Sequence, residues 1–149
     1  MRPYSALLEL NNTRLANIRK MKIPYKKKQL NINLFLGLIW LIYAVILTVI
    51  NENSSWIDYG WFVMGIAYLI LYFYQKNEQY LTIENGIIKQ NWPFGKKLNL
   101  IEIKYIRYFA GDLILKTDER NLSINGALID EKTYDGLKDE LKKLNAEWI

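Results

Sequence analysis

The chain has no cysteine and no histidine. Without cysteine there is neither a disulfide framework nor a thiolate to attack a substrate or hold a metal. Without histidine the usual zinc ligand set and the commonest general base are both missing. Ser-His-Asp and Cys-His arrangements are therefore excluded, no cofactor or metal is implied, and no enzymatic role is expected. Charge is also missing where it matters most. No Asp, Glu, Lys or Arg occurs from Gln29 to Asn51, and none from Tyr59 to Gln75.

These two windows explain why the averages look ordinary. Hydrophobic residues make up 51% and aromatics 14% of 149 residues, yet mean hydropathy is close to zero. The first window, NLFLGLIWLIYAVILTVI (Asn33–Ile50), carries no polar stripe at helical spacing. As a helix Leu34–Ile50 is about 26 Å long, near the thickness of a bilayer core once its flanks are added. The second, WIDYGWFVMGIAYLILYFY (Trp56–Tyr74), has similar reach, with Asp58 at its start where headgroups would solvate it. The short polar NENSSWID between them suits a turn joining antiparallel helices. Trp56, Tyr59 and Trp61 at one end, and Tyr72 and Tyr74 at the other, fall where interfacial aromatic belts lie. A transmembrane hairpin is expected, with spans at about 33–50 and 57–75. A cleaved signal peptide fits poorly, since the apolar stretch begins more than thirty residues in. A buried hairpin of a soluble protein and a single re-entrant helix are the competing readings.

The net charge of +5 is local. Eight basic residues lie in 1–33 against Glu9 alone, whereas 76–149 carries twelve of each sign. That balance argues against a nucleic-acid partner for the folded part. Lys20, Lys22, Lys26, Lys27 and Lys28 precede the first window, Lys76 follows the second, and the connecting loop holds Glu52 and Asp58. Basic residues beside spans stay cytoplasmic, so both termini are expected inside a cytoplasmic (inner) membrane. The same lysines suit attraction to anionic lipid. Gly37, Ala44 and Gly65 offer a small-residue seam for the hairpin, with Gly65 expected opposite Ala44.

From Gln79 the pattern changes to short alternating runs: QYLTIE, GIIKQNW, KKLNL, IKYIRYF, DLILKT and RNLSIN. Asn85-Gly86 is a hairpin turn signal, with Gly111-Asp112 and Asn125-Gly126 as further turns. Leu81, Ile83, Leu98, Leu100, Leu113, Leu115, Leu122 and Ile124 alternate with polar neighbours, which predicts one packed face. Asp130 is a candidate cap for a helix whose Tyr134, Leu137, Leu141 and Leu144 form a stripe. In order and pattern, YLTIENGIIKQNW, KKLNLIEIKYI, DLILKT, RNLSI and the terminal helix resemble bacterial membrane proteins with a pleckstrin-homology-like (PH-like) domain. The resemblance covers about Gln79 to Leu144. It implies a small antiparallel half-barrel closed by a helix, and so an α+β membrane protein: a basic segment over 1–32, a helical hairpin over 33–75 and the PH-like domain over 76–149. Six strands are visible where that fold has seven; Tyr4–Leu10 could supply the last, or begin an amphipathic helix. The resemblance implies binding or scaffolding. No phosphoinositide site is expected, because the first hairpin turn is only Asn85-Gly86 behind Glu84.

Two surface candidates stand out. Trp92, Phe94, Lys96 and Lys97 place aromatics and charge at a hairpin tip, fit to meet a membrane interface or a partner, or simply to cap the core. Tyr105, Arg107 and Tyr108 could form a recognition edge. Asp118-Glu119 and Asp139-Glu140 read as a turn and a solvated helix face. The expected function is a non-enzymatic membrane-anchored module holding a protein partner or a second copy of itself. An accessory, regulatory or immunity-type protein acting through its hairpin is the alternative.

Overall fold

The computed structural model describes residues 2–53 and 55–149, so Ser54 of the connecting loop lies outside the described residues. The fold is α+β with antiparallel sheets. Two compact units are present: Tyr25–Glu78 forms one, and the residues up to Pro24 join Gln79–Ile149 in the other. The basic N-terminal stretch, expected to stand apart through residue 32, is thus divided. Its first part folds with the β strands and its last residues open a long helix.

In the helical unit, α2 (Lys27–Ile50) and α3 (Asp58–Asn77) run antiparallel. Asn33 meets Gln75 at one end and Trp40 stacks on Trp61 toward the other. The buried positions of the pair are Asn33, Gly37 and Ala44 on α2 and Gly65 on α3. A Cβ at Gly65 would meet the Leu41 side chain first, at 2.7 Å, and a Cβ at Gly37 would meet Leu69. Gly65 therefore packs about a turn away from the expected partner Ala44. Small residues here let the backbones approach.

By length and composition α2 is able to cross a membrane, and among the described residues it alone is. The two spans expected to be alike thus differ. Five side chains of α3, those of Tyr59, Trp61, Tyr68, Tyr72 and Tyr74, are Tyr or Trp, whose polar handles lower its hydropathy.

In the other unit, β1 (Met21–Ile23), β2 (Leu81–Glu84), β3 (Ile87–Gln90) and β4 (Lys97–Asn99) form one antiparallel sheet in that order. A second sheet has the order β7-β6-β5-β8, from β5 (Tyr105–Phe109), β6 (Asp112–Lys116), β7 (Asn121–Ile124) and β8 (Glu147–Trp148). The β5–β8 pairing is parallel. Tyr4–Leu10 is not a strand but part of α1 (Arg2–Ala16). The additional strand of the first sheet is β1, whose Met21 pairs with Ile83 and Ile23 with Leu81. The chain therefore leaves this sheet after β1, makes the helix pair and returns into the adjacent strand.

Local chemistry sets the turns. Asn85 and Gly86 have φ of 52° and 73°, a two-residue hairpin of the kind that matches strand twist. The β5–β6 turn sits at Ala110-Gly111, with φ of 52° and 92°, one residue earlier than Gly111-Asp112. Asn125 accepts a hydrogen bond from the Ala127 amide and opens a short 3-10 turn.

The core is drawn from both sheets: Leu81, Ile83, Ile88, Leu98 and Leu100 face Ile106, Leu113, Leu115, Leu122 and Ile124 as fully or almost fully buried residues. Helix α4 (Glu131–Leu141) adds Tyr134, Leu137 and Leu141. Its Asp130 stands at the N-cap without a side-chain cap bond. Leu144, expected on the same stripe, lies past the helix end and is half-buried. Tyr134 Oη donates to the Gly111 carbonyl at 2.7 Å and ties α4 to the β5–β6 turn.

Candidate functional site

The chain between β3 and β4 is a tight, fixed turn. Gly95 N–H donates to the Trp92 carbonyl at 2.7 Å, Gln90 N–H to Lys96 at 2.9 Å, and Asn91 N–H to Tyr80 at 3.1 Å. A Cβ on Gly95 would collide with the Gln90 and Trp92 carbonyls, so the turn admits no side chain there. This geometry holds Phe94 90% exposed and Trp92 40% exposed. The core-capping reading therefore fails for Phe94. Leaving such a ring in water forgoes about 1.5–3 kcal/mol that burial would return.

Lys96 reaches the other sheet, where its Nζ donates to the Asn121 carbonyl at 3.2 Å. Gln90 Nε2 donates to Ser123 O at 2.6 Å. These two side chains close the outer edge of β7. The outer edge of β4 is different. Lys96, Leu98 and Leu100 turn their backbone groups toward β3, so those of Lys97 and Asn99 point away from the sheet. Two adjoining hollows of about 680 and 700 Å³ lie along that edge and share Lys97, Leu98 and the Thr117–Arg120 turn. Lys104 pairs with Asp118 there, which raises the Lys104 pKa through the hydrogen bond and the charge together.

Tyr105, Arg107 and Tyr108 do not form one surface. Tyr105 and Arg107 alternate outward from the buried Ile106 on β5, whereas Tyr108 shares the inward side beside α4. Arg107 lies over the Phe109 ring at 5.1 Å. Lys138 Nζ sits 5.0 Å from the Tyr108 ring and 4.5 Å from Tyr134. The backbone edge of β5 is covered by β8, through Glu147 N–H to Lys104 O at 2.8 Å and Ile149 N–H to Ile106 O at 3.0 Å. This trio therefore lies on a different sheet from Trp92, Phe94, Lys96 and Lys97, and is not a free strand edge.

The basic residues also separate. Lys20 pairs with Glu84 and Lys22 is part of β1, while Lys26 caps α2, Lys27 begins it and Lys28 follows. Trp61, grouped with the terminal aromatics by sequence, instead stacks on Trp40 at 5.2 Å, with Tyr43 edge-on to both. Trp56 and Tyr59 remain exposed.

Besides Tyr80, whose phenol burial pushes up, one phenol and one carboxyl have displaced titrations outside the helix pair. Burial, chiefly, with the field of Tyr108 and Asp112, pushes Tyr134 up to about 12. Burial alone would raise Glu140. The Lys143 ammonium at 2.7 Å and the Arg19 amide at 3.2 Å outweigh it and leave the carboxyl below its usual range. Neither group opens into the hollows, and among the described residues no group of three or more Asp or Glu is placed to hold a metal ion.

Sequence reasoning missed Asn33 and Gln75, because single amides in apolar runs carry no pattern. It also missed the pairing of Lys22 with a strand, since three residues are too few to show alternation. Comparison with protein-family models, with curated proteins and with solved structures finds no match to this chain.

Proposed function

We propose that this chain is a membrane-anchored, non-enzymatic binding module. In this reading α2 and α3 cross the cytoplasmic membrane as a pair, both termini stay inside, and the β unit is a PH-like domain that holds a protein partner. The observation that carries it is the surface of α2. Phe35, Leu38, Ile39, Ile42, Val45, Ile46 and Val49 cover one broad face, roughly a third of the helix circumference, and every one is exposed. Water disfavours so large a continuous apolar face, whereas lipid accepts it. Lys26, Lys27 and Lys28 at the start of the same helix oppose its dipole, with no acid in the first turn to offset them. That placement costs roughly 0.3–1 kcal/mol per charge in water and is favourable beside anionic headgroups.

A PH-like assignment is supported by the four-stranded sheet, the antiparallel β5–β6–β7 set and the closing helix α4. The short β8 is an addition to that pattern. We assign the partner to the groove along β4, because the outward backbone groups of Lys97 and Asn99 can extend the sheet by pairing with an extended segment. A photo-crosslinker at Glu119, on the groove's far wall, should capture one protein in intact membranes, and the same probe at Thr133 on α4 should not. Equal capture at both positions, or none, contradicts this role. An enzyme-reporter insertion at Asn53 active only outside, with a C-terminal fusion active only inside, tests the topology.

A further inference from the structure

The register of the first sheet lines up three lysines. Lys22 on β1 pairs with Thr82 on β2, Thr82 with Lys89 on β3, and Lys89 with Lys97 on β4. All four are on the face opposite the buried Ile23, Leu81, Ile83, Ile88 and Leu98. With strands about 4.8 Å apart, the row is about 14 Å long. Lys89 and Lys97 form a non-hydrogen-bonded pair, the arrangement that brings cross-strand side chains closest. Like charges directly opposite one another destabilise a sheet. Nothing nearby relieves them: Glu84, the acid on the same face, is engaged by Lys20. Among the described residues no carboxylate pairs with Lys22, Lys89 or Lys97. At the end of this row, between Lys89 and Lys97, the chain makes the rigid turn that exposes Trp92 and Phe94.

We infer that the outer face of the β1–β4 sheet and the Trp92–Phe94 turn dock on an anionic lipid surface. The face supplies what such a surface selects. It carries cations that no carboxylate pairs with, and it ends in aromatic rings of the kind that settle at the headgroup level. The cations are lysines, point charges on flexible stems, which suit a fluid array of headgroups rather than one phosphate gripped by a guanidinium fork. Each lysine beside an anionic leaflet strengthens attachment about fivefold, so the row as a whole acts like a second, reversible anchor. The surface lies within one unit of the chain. It depends on the proposed function only in that the anchored helix pair keeps a bilayer at hand.

The absence of cysteine makes the test direct. The full chain, with Phe94→Cys carrying the environment-sensitive dye NBD, is reconstituted in vesicles of phosphatidylcholine and in vesicles of phosphatidylcholine mixed with phosphatidylglycerol. Docking predicts brighter, blue-shifted emission in the mixed vesicles alone, lost in high salt and lost in K22Q/K89Q/K97Q but retained in K22R/K89R/K97R. The same dye at Asp139 on α4 should not respond. Emission at position 94 that is blind to phosphatidylglycerol, as an acidic protein partner would leave it, overturns the inference. So does emission insensitive to salt, a readout that stands even if the glutamine variant fails to fold. Alkaline carbonate distinguishes the two claims. A chain that resists extraction but shows no lipid response loses only the docking face. If carbonate strips the chain from vesicles, the anchor is wrong, and flotation of that chain on the two vesicle types still decides the docking.

Discussion

Asn33 Nδ2 donates to Gln75 Oε1 at 2.7 Å, across the helix pair and 42 residues apart in the chain. Asn33 is only 7% exposed, so this amide bond is shielded where α2 begins and α3 ends. In lipid an unpaired amide has no water to turn to, so the pair fixes which turn of α2 faces which turn of α3. Asn33→Leu should lower the stability of the helix pair by about 0.6–1.7 kcal/mol. Asn33→Leu with Gln75→Leu should recover part of that loss, because no orphan amide remains. Denaturant titration in micelles, run as a double-mutant cycle, measures both.

Gly65 leaves space that Leu41 fills. Gly65→Val should cost about 1–3 kcal/mol by forcing the helices apart, while Gly60→Ala, with open space around it, should be neutral. Disulfide formation between cysteines introduced at Gly37 and Leu69 reports the separation.

In the β unit, Leu137 is fully buried and joins α4 to both sheets' core. Leu137→Ala should destabilise this unit by about 2–5 kcal/mol, measured by thermal or denaturant melting. Phe94→Ser, removing a ring that touches mostly solvent, should leave the melting midpoint unchanged.

Tyr134 sets an alkaline limit. Its phenol is displaced from 10.0 to about 12 in the folded chain, so the folded state holds its proton more tightly than the unfolded one. The contribution is complete below pH 10 and is lost as pH rises from about 10 to about 12. Tyr134→Phe should remove that part of the alkaline decline, at the cost of the bond to the Gly111 carbonyl. Stability followed from neutral to alkaline pH in both chains gives the comparison.

The β pattern from Gln79 onward was legible because Leu81, Ile83, Leu122 and Ile124 each alternate with a polar neighbour and Leu113 and Leu115 stand two apart between Asp112 and Lys116, and every one is buried. Asn85-Gly86 was legible for a local reason: both residues adopt positive φ readily. β1 was not, since MKI is three residues between Lys20 and Pro24 and gains its strand only by pairing with β2 across 60 residues of sequence. The surface was least legible. Lys22, Lys89 and Lys97 are far apart in the chain and meet only through register, so no local motif announces the row. Tyr105, Arg107 and Tyr108 fall two apart or adjacent in sequence, yet pleating sends Tyr108 to the opposite side.

The central claim is that the helix pair lies in lipid, and Ile42, midway along the apolar stretch Asn33–Ile50 and 60% exposed, reports on it most directly. A single cysteine at this position should resist a water-soluble maleimide in native membranes and react once detergent dissolves them. Full labelling of that cysteine before detergent is added would contradict the account.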